Sequence, residues 1–127
     1  MAEYVGKLLE SLSRAEKLCS VISDFIGGAS YDVREIKSSV FELNRVFNEI
    51  SIYVYALEKY PVEIRKGISD FFGEKAKFLS FAYTLIMGLE KTSDIRNWLQ
   101  LLFLAKGLDI NKLCALLKVF KNVISPK

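Results

Sequence analysis

A chain of 127 residues, 51% of them apolar, is long enough to fold as one domain whose core needs neither disulfides nor metal. Histidine is absent from the sequence, which removes the commonest general base and the commonest zinc ligand together, so neither catalysis nor a cofactor or metal is expected. The net charge is only +3, but residues 1–90 carry 11 Lys/Arg against 13 Asp/Glu and residues 91–127 carry 7 against 2, so the basic C-terminal third suits an anionic partner.

The first predicted helix begins within the first few residues and runs to Ile26. Its residues Leu8, Leu12, Ala15, Cys19, Ile22 and Ile26 recur at alternating spacings of four and three, which sets them on one seam. Gly27-Gly28 ends it, because glycine takes the left-handed closing conformation without a Cβ clash. Asp32 and Glu35 have the spacing of a capping pair, so a second helix starts at Val33. Its ladder Val33, Ile36, Val40, Leu43, Phe47, Ile50, Val54 and Leu57 carries it to about Lys59, where Tyr60 is pushed out of the helical region by Pro61. Two such seams joined by a short turn fold back into a helical hairpin.

A third helix opens with proline in its first turn and continues through Ile64, Ile68, Phe71, Phe78, Ala82, Leu85 and Leu89, with Lys75 standing where an apolar residue is due. Gly67 and Gly73 each cost about 1 kcal/mol relative to alanine inside a helix, which predicts a kink or split near Gly73. Thr92 or Ser93 caps a fourth helix over Asp94 to Lys106, ended by Gly107. Asp109 caps a fifth, with the ladder Ile110, Leu113, Leu117, Phe120 and Ile124 stopping at Pro126. No segment alternates as a strand does, and short connections favour antiparallel neighbours. The expected fold is all-α: a single-domain antiparallel bundle of about five helices over residues 1–127.

The fourth helix breaks the amphipathic rule. Trp98, Leu99, Leu101, Leu102, Phe103, Leu104 and Ala105 surround nearly its whole circumference, and a helix apolar all round is buried on all sides. Either it is the centre of the bundle, or Trp98, Leu101 and Leu104 form an interface covered by another protein subunit or by a second copy in a homo-oligomer.

Other features are weighed against plainer readings. Asp70 and Glu74 stand one turn apart but are too few to hold a divalent cation, and Lys66 and Lys77 screen them. Gly27-Gly28-Ala29-Ser30 lacks the lysine and the preceding strand of a phosphate loop. Ten of the sixteen aromatic residues lie between 41 and 83. Among them Phe41 and Tyr55 fall off the seam, near Arg45, Arg65 and Lys66 in sequence, where an exposed ring stacks a base unless it fills a second core stripe. Leu102 to Val119 has helix-turn-helix spacing, yet Leu113 to Phe120 offers a single lysine to base edges. Cys19 and Cys114 lie on apolar ladders as small hydrophobes, and a disulfide between them would require the first and last helices to be neighbours. The longest uncharged run, Phe78 to Leu89, is twelve residues, short of the roughly 20 that span a membrane. With no signal peptide, a soluble cytoplasmic protein is the default. Abundant Lys, Glu, Ile and Tyr beside a single glutamine, Gln100, resembles the usage of proteins from hot environments.

The basic residues Arg96, Lys106, Lys112, Lys118 and Lys121 come from the last two helices. Lysines of this kind read a nucleic-acid backbone without sequence preference and with strong salt dependence, or are simply solvated. In length, all-helical architecture and basic surface the whole chain resembles the small helical subunit of class 1 CRISPR–Cas effector complexes, a likeness that rests on no specific motif. The resemblance implies a non-catalytic subunit, present in several copies, that lines the path of a bound strand through Arg96, Lys106, Lys112, Lys118 and Lys121, with Arg45, Arg65 and Lys66 as further contacts. The expectation is therefore a non-catalytic assembly subunit of a nucleoprotein complex. The alternative is a protein-binding or self-associating bundle, such as a viral structural or inhibitor protein, with no nucleic-acid role.

Overall fold

The computed structural model describes residues 2–125. The chain forms α1 (Ala2–Ile26), α2 (Val33–Tyr53), a short 3-10 turn (Val54–Ala56), α3 (Val62–Met87), α4 (Thr92–Ala105) and α5 (Ile110–Ile124), with no strand among the described residues. The all-α helical bundle read from periodicity is the fold. The end of the last ladder at Pro126 lies outside the described residues.

The turn chemistry works as the sequence suggests. After α1 the N–H of Gly28 bonds to Phe25 O and that of Ala29 to Asp24 O, with Gly28 at φ 114°. Gly107, at φ 68°, closes α4 in the same way through Gly107 N–H to Leu104 O and Leu108 N–H to Phe103 O. Both are Schellman closures, in which only a residue tolerant of the left-handed region fits. Asp32 caps α2 by accepting from Arg34 N–H, and Asp109 caps α5 by accepting from Asn111 and Lys112 N–H.

The long helices are antiparallel in register. Arg14 pairs with Glu42, and Ser11 Oγ donates to Glu49 at 3.1 Å, which fixes α1 on α2. Along α2 and α3, Ser69 Oγ donates to Ser51 O, Asn44 Nδ2 to Ala76 O, and Lys37 Nζ to Met87 O. The α2 core residues Ile36, Val40, Leu43, Val46, Phe47 and Ile50 form two adjoining stripes, one for each neighbour. On the remaining side α5 runs back along α1, while α4 crosses between the C-terminal halves of α1 and α3, packing Phe103 edge-on against Phe78. Phe72 is the hub between layers: its ring meets Phe47 of α2 at 5.3 Å, Phe71 at 5.3 Å and Phe120 of α5 at 5.9 Å.

Five features differ from the sequence expectation. Helix α2 stops at Tyr53, not near Lys59. Ile52-Tyr53-Val54-Tyr55 is a run of poor helix formers, and tightening it into a 3-10 turn swings Leu57 into the core, where it is 5% exposed. Pro61 sits just before α3 and not within its first turn. Helix α3 is continuous through Gly73, since Phe72, Ala76, Leu79, Ala82 and Ile86 bury against the rest of the bundle and outweigh about 1 kcal/mol per glycine. The same stripe shows that the core face of α3 lies about one residue round from Ile64-Ile68-Phe71-Leu85, leaving Ile64 and Leu85 exposed. Helix α4 starts at Thr92 and not at Asp94, and neither Thr92 nor Ser93 caps it; its position is set by Ile95, buried, whose N–H bonds to Lys91 O.

Replacing Phe72 by alanine is expected to cost about 3–5 kcal/mol, because it empties the junction of α2, α3 and α5. Gly73→Ala is expected to stabilise by up to about 1 kcal/mol, since a Cβ there meets nothing within 4 Å and alanine lowers the entropy lost on folding. Urea denaturation of the two variants measures both signs.

Candidate protein and nucleic-acid interfaces

Helix α4 is not the centre of the bundle. Only Ile95, Leu99 and Phe103 are buried; Trp98 is 47%, Leu101 53% and Leu104 70% exposed. The helix is apolar all round yet lies on the surface, because α1 and α3 offer it a single stripe. Its far side is unpaired hydrophobic surface.

A larger apolar surface lies where sequence reasoning placed core. Between the N-terminal half of α3 and the outer face of α5 runs a groove of about 650 Å³. One wall is Tyr60, Ile64, Ile68 and Phe71, the other Leu116, Val119, Phe120 and Val123, and among the described residues Arg65 is the one charged side chain lining it. Val119 is 62% exposed. Around the bundle α1 meets α2, α2 meets α3, and α5 meets α1; across the fourth seam, between α5 and α3, the Phe72 and Phe120 rings stack. The sequence carried the signal for this groove as second ladders: Ile64, Ile68 and Phe71 in α3, and Leu116, Val119 and Val123 in α5, each beside the stripe that is buried.

Lys75, the residue that interrupts the predicted α3 ladder, now has a physical place. It follows Phe71 by one turn on the groove side of α3, and its ammonium lies over the Phe71 ring, 4.8 Å from the centroid. A cation on an aromatic face covers apolar surface while staying hydrated.

The five basic residues do not form one face. Arg96 is turned inward: Nε donates to Phe25 O at 2.7 Å, Nη2 to Ala29 O at 3.0 Å, and the guanidinium stacks on the Phe25 ring, 4.6 Å from its centroid. Helix α1 has no basic residue in its last turn, so Arg96 supplies from α4 the cation that the carbonyl end of α1 favours. Lys121 faces α1 and pairs with Glu16 at 3.4 Å. Lys106, Lys112 and Lys118 are exposed and form no ion pair among the described residues.

The additional basic residues are engaged as well. Arg45 shares Glu42 with Arg14, and the hydrogen bond from Arg45 is the largest influence holding the Glu42 carboxyl below its ordinary range. Lys66 binds Asp70 at 2.7 Å. Arg65 donates to Tyr60 O and Tyr55 O, both at 3.0 Å, tying down the turn between α2 and α3. Phe41 and Tyr55 are exposed, and Phe41 rests against Tyr83 at 5.2 Å. No helix among the described residues is long and apolar enough to cross a membrane. No protein-family model matches the chain, and no curated protein or solved structure matches it.

Arg96→Ala is expected to destabilise the fold by about 2 kcal/mol, through two charge-assisted hydrogen bonds lost at the end of α1. Lys112→Ala should stay within about 0.5 kcal/mol of the parent, as solvated surface positions do. Thermal and denaturant melts of the two variants distinguish a clamp from a free charge.

Proposed function

We propose that the protein is a non-catalytic helical assembly subunit that receives an amphipathic helix of a partner protein in the open seam between α3 and α5. The observation that carries this reading is the groove itself, whose two apolar walls belong to neighbouring helices of a bundle. Apolar residues at i, i+3, i+4 and i+7 of an incoming helix would meet Ile64, Ile68 and Phe71 on one side and Leu116, Val119 and Val123 on the other. Two cations stand at the seam, Arg65 in its wall and Lys75 over the Phe71 ring, so the matching helix carries acidic residues at its margins. The exposed side of α4, with Trp98, Leu101 and Leu104, is a second surface for a subunit of the same complex.

Designed helical peptides provide the test. A peptide with a leucine stripe and glutamate margins is expected to bind, to lose about tenfold or more in affinity to the Val119→Asp protein, and to outcompete the same stripe with lysine margins. Equal binding of both peptides, or no loss in Val119→Asp, overturns the proposal. Concentration-dependent dimers in sedimentation that vanish in Val119→Asp also overturn it, in favour of self-association.

A second component of the reading is contact with a nucleic-acid backbone, as in a nucleoprotein effector subunit. It is supported by Lys106, Lys112 and Lys118, exposed and unpaired among the described residues. Three such charges predict binding of single-stranded RNA or DNA at low salt with a log–log salt slope of about −2. The slope should collapse when all three become alanine. Absence of binding at low salt removes this component and leaves the protein-binding one standing.

A further inference from the structure

The condition that the sequence left open for Cys19 and Cys114 is met: α1 and α5 are neighbours, antiparallel along their lengths. Two polar contacts set the register. Ser23 Oγ donates to Asn111 Oδ1, and Lys121 pairs with Glu16 at 3.4 Å. Cys19 lies between Glu16 and Ser23 on α1, and Cys114 lies between Asn111 and Lys121 on α5, so the register brings the two cysteines level. A third distance agrees, since Cys19 Sγ is 3.7 Å from Ile110 O, and Ile110 precedes Cys114 by one helical turn on the same face. Ala15, one turn before Cys19, is fully buried, and small side chains at both positions let α5 approach closely.

We infer that Cys19 and Cys114 are a dithiol pair that closes into an intramolecular disulfide, covalently joining the first helix to the last. The two thiols differ in the way such chemistry requires. Cys114 is half-buried and Cys19 is fully buried, so an oxidant reaches Cys114 first. The Cys114 thiol is held below its ordinary range, chiefly by the neighbouring Cys19 thiol and further by the charge of Lys118, against the opposing effects of burial and of Asp24. Cys19 is pushed strongly upward by the neighbouring Cys114 and by burial, so it keeps its proton, which the thiol directs at Ile110 O.

The co-reactant is a small-molecule disulfide. The Cys114 thiolate attacks one of its sulfurs, the S–S bond breaks, and one thiolate leaves and takes up the proton that Cys114 gave to solvent. Cys19 then attacks Sγ of Cys114 in the mixed disulfide, and its proton passes to the second departing thiolate. The protein loses two protons and two electrons, and the oxidant becomes two thiols. Nothing in either step needs a metal or a further reactant. The bond closes residues 19–114 into one loop, and a cross-link restricts the unfolded state more as the loop lengthens.

Oxidised glutathione added to the folded, reduced protein tests this. The expected product is a monomer lighter by two hydrogens, with a Cys19–Cys114 linked peptide on mapping. Its melting temperature should lie about 5–15 °C above that of the reduced form, and dithiothreitol should reverse the shift. Cys19→Ser should stop at a glutathione adduct on Cys114, and Cys114→Ser should remain unmodified under the same exposure. A persistent glutathione adduct on the parent protein, a disulfide-linked dimer, or two unreacted thiols each overturns the inference. The parent peptide map decides the question even if a variant fails to fold.

Discussion

Everything in this molecule follows from α2 being wedged between two antiparallel neighbours. A helix with two adjoining apolar stripes buries both only if a partner lies on each side, and α1 and α3 are long enough to cover it from end to end. That leaves a trough on the far side between α1 and α3. A fourth helix of matching length would fill it and complete a closed bundle. The chain supplies two short ones instead, because Gly107 ends α4 after 14 residues and α5 must begin afresh. Helix α5 takes the α1 side of the trough and α4 spans the far end, so the α3 side stays partly open. The apolar groove and the bare side of α4 are two results of one shortage of length.

The positive charges serve a purpose that composition conceals. Helices α1, α2 and α3 all lack a basic residue in their last turn, yet the end of each, or the turn that follows it, receives a cation from elsewhere: Arg96 at α1, Arg65 after α2, Lys37 at α3. Carbonyl ends carry partial negative charge and unsatisfied acceptors, and long side chains from neighbouring helices meet both needs while fixing helix against helix. A basic C-terminal third therefore mixes structural cations with free ones. Of the five basic residues singled out there, Lys106, Lys112 and Lys118 remain exposed and unpaired among the described residues.

What the sequence disclosed, and what it withheld, divides along the range of the interactions concerned. Asp32, Asp109, Gly28 and Gly107 act on backbone groups a few residues away, and the helix boundaries they set were legible. The break after Tyr53 was less so, because the apolar ladder continues through Val54 and Leu57 while the conformation carrying it changes from α to 3-10. In α3 two ladders run side by side, Ile64-Ile68-Phe71 and Phe72-Ala76-Leu79, and periodicity alone gives no reason to prefer either as core; α2 decides. Arg96 was legible only as a charge. Its acceptors are 71 and 67 residues distant in the chain, although the last turn of α1, with Asp24 and no cation, already announced that a donor was wanted.

That same separation gives the chain a direction in time. During synthesis the hairpin of α1 and α2, and then α3 upon it, have all their mutual contacts in hand before α4 exists. The C-terminal end of α1 meanwhile ends beside an aspartate with no cation opposite it. Only when residue 96 has emerged can the guanidinium settle on Phe25, and only after that turn can α5 lie down along α1. The last two helices thus close like a latch over contacts that the first three make without them, and the carbonyl end of α1 stays uncovered until the latch arrives.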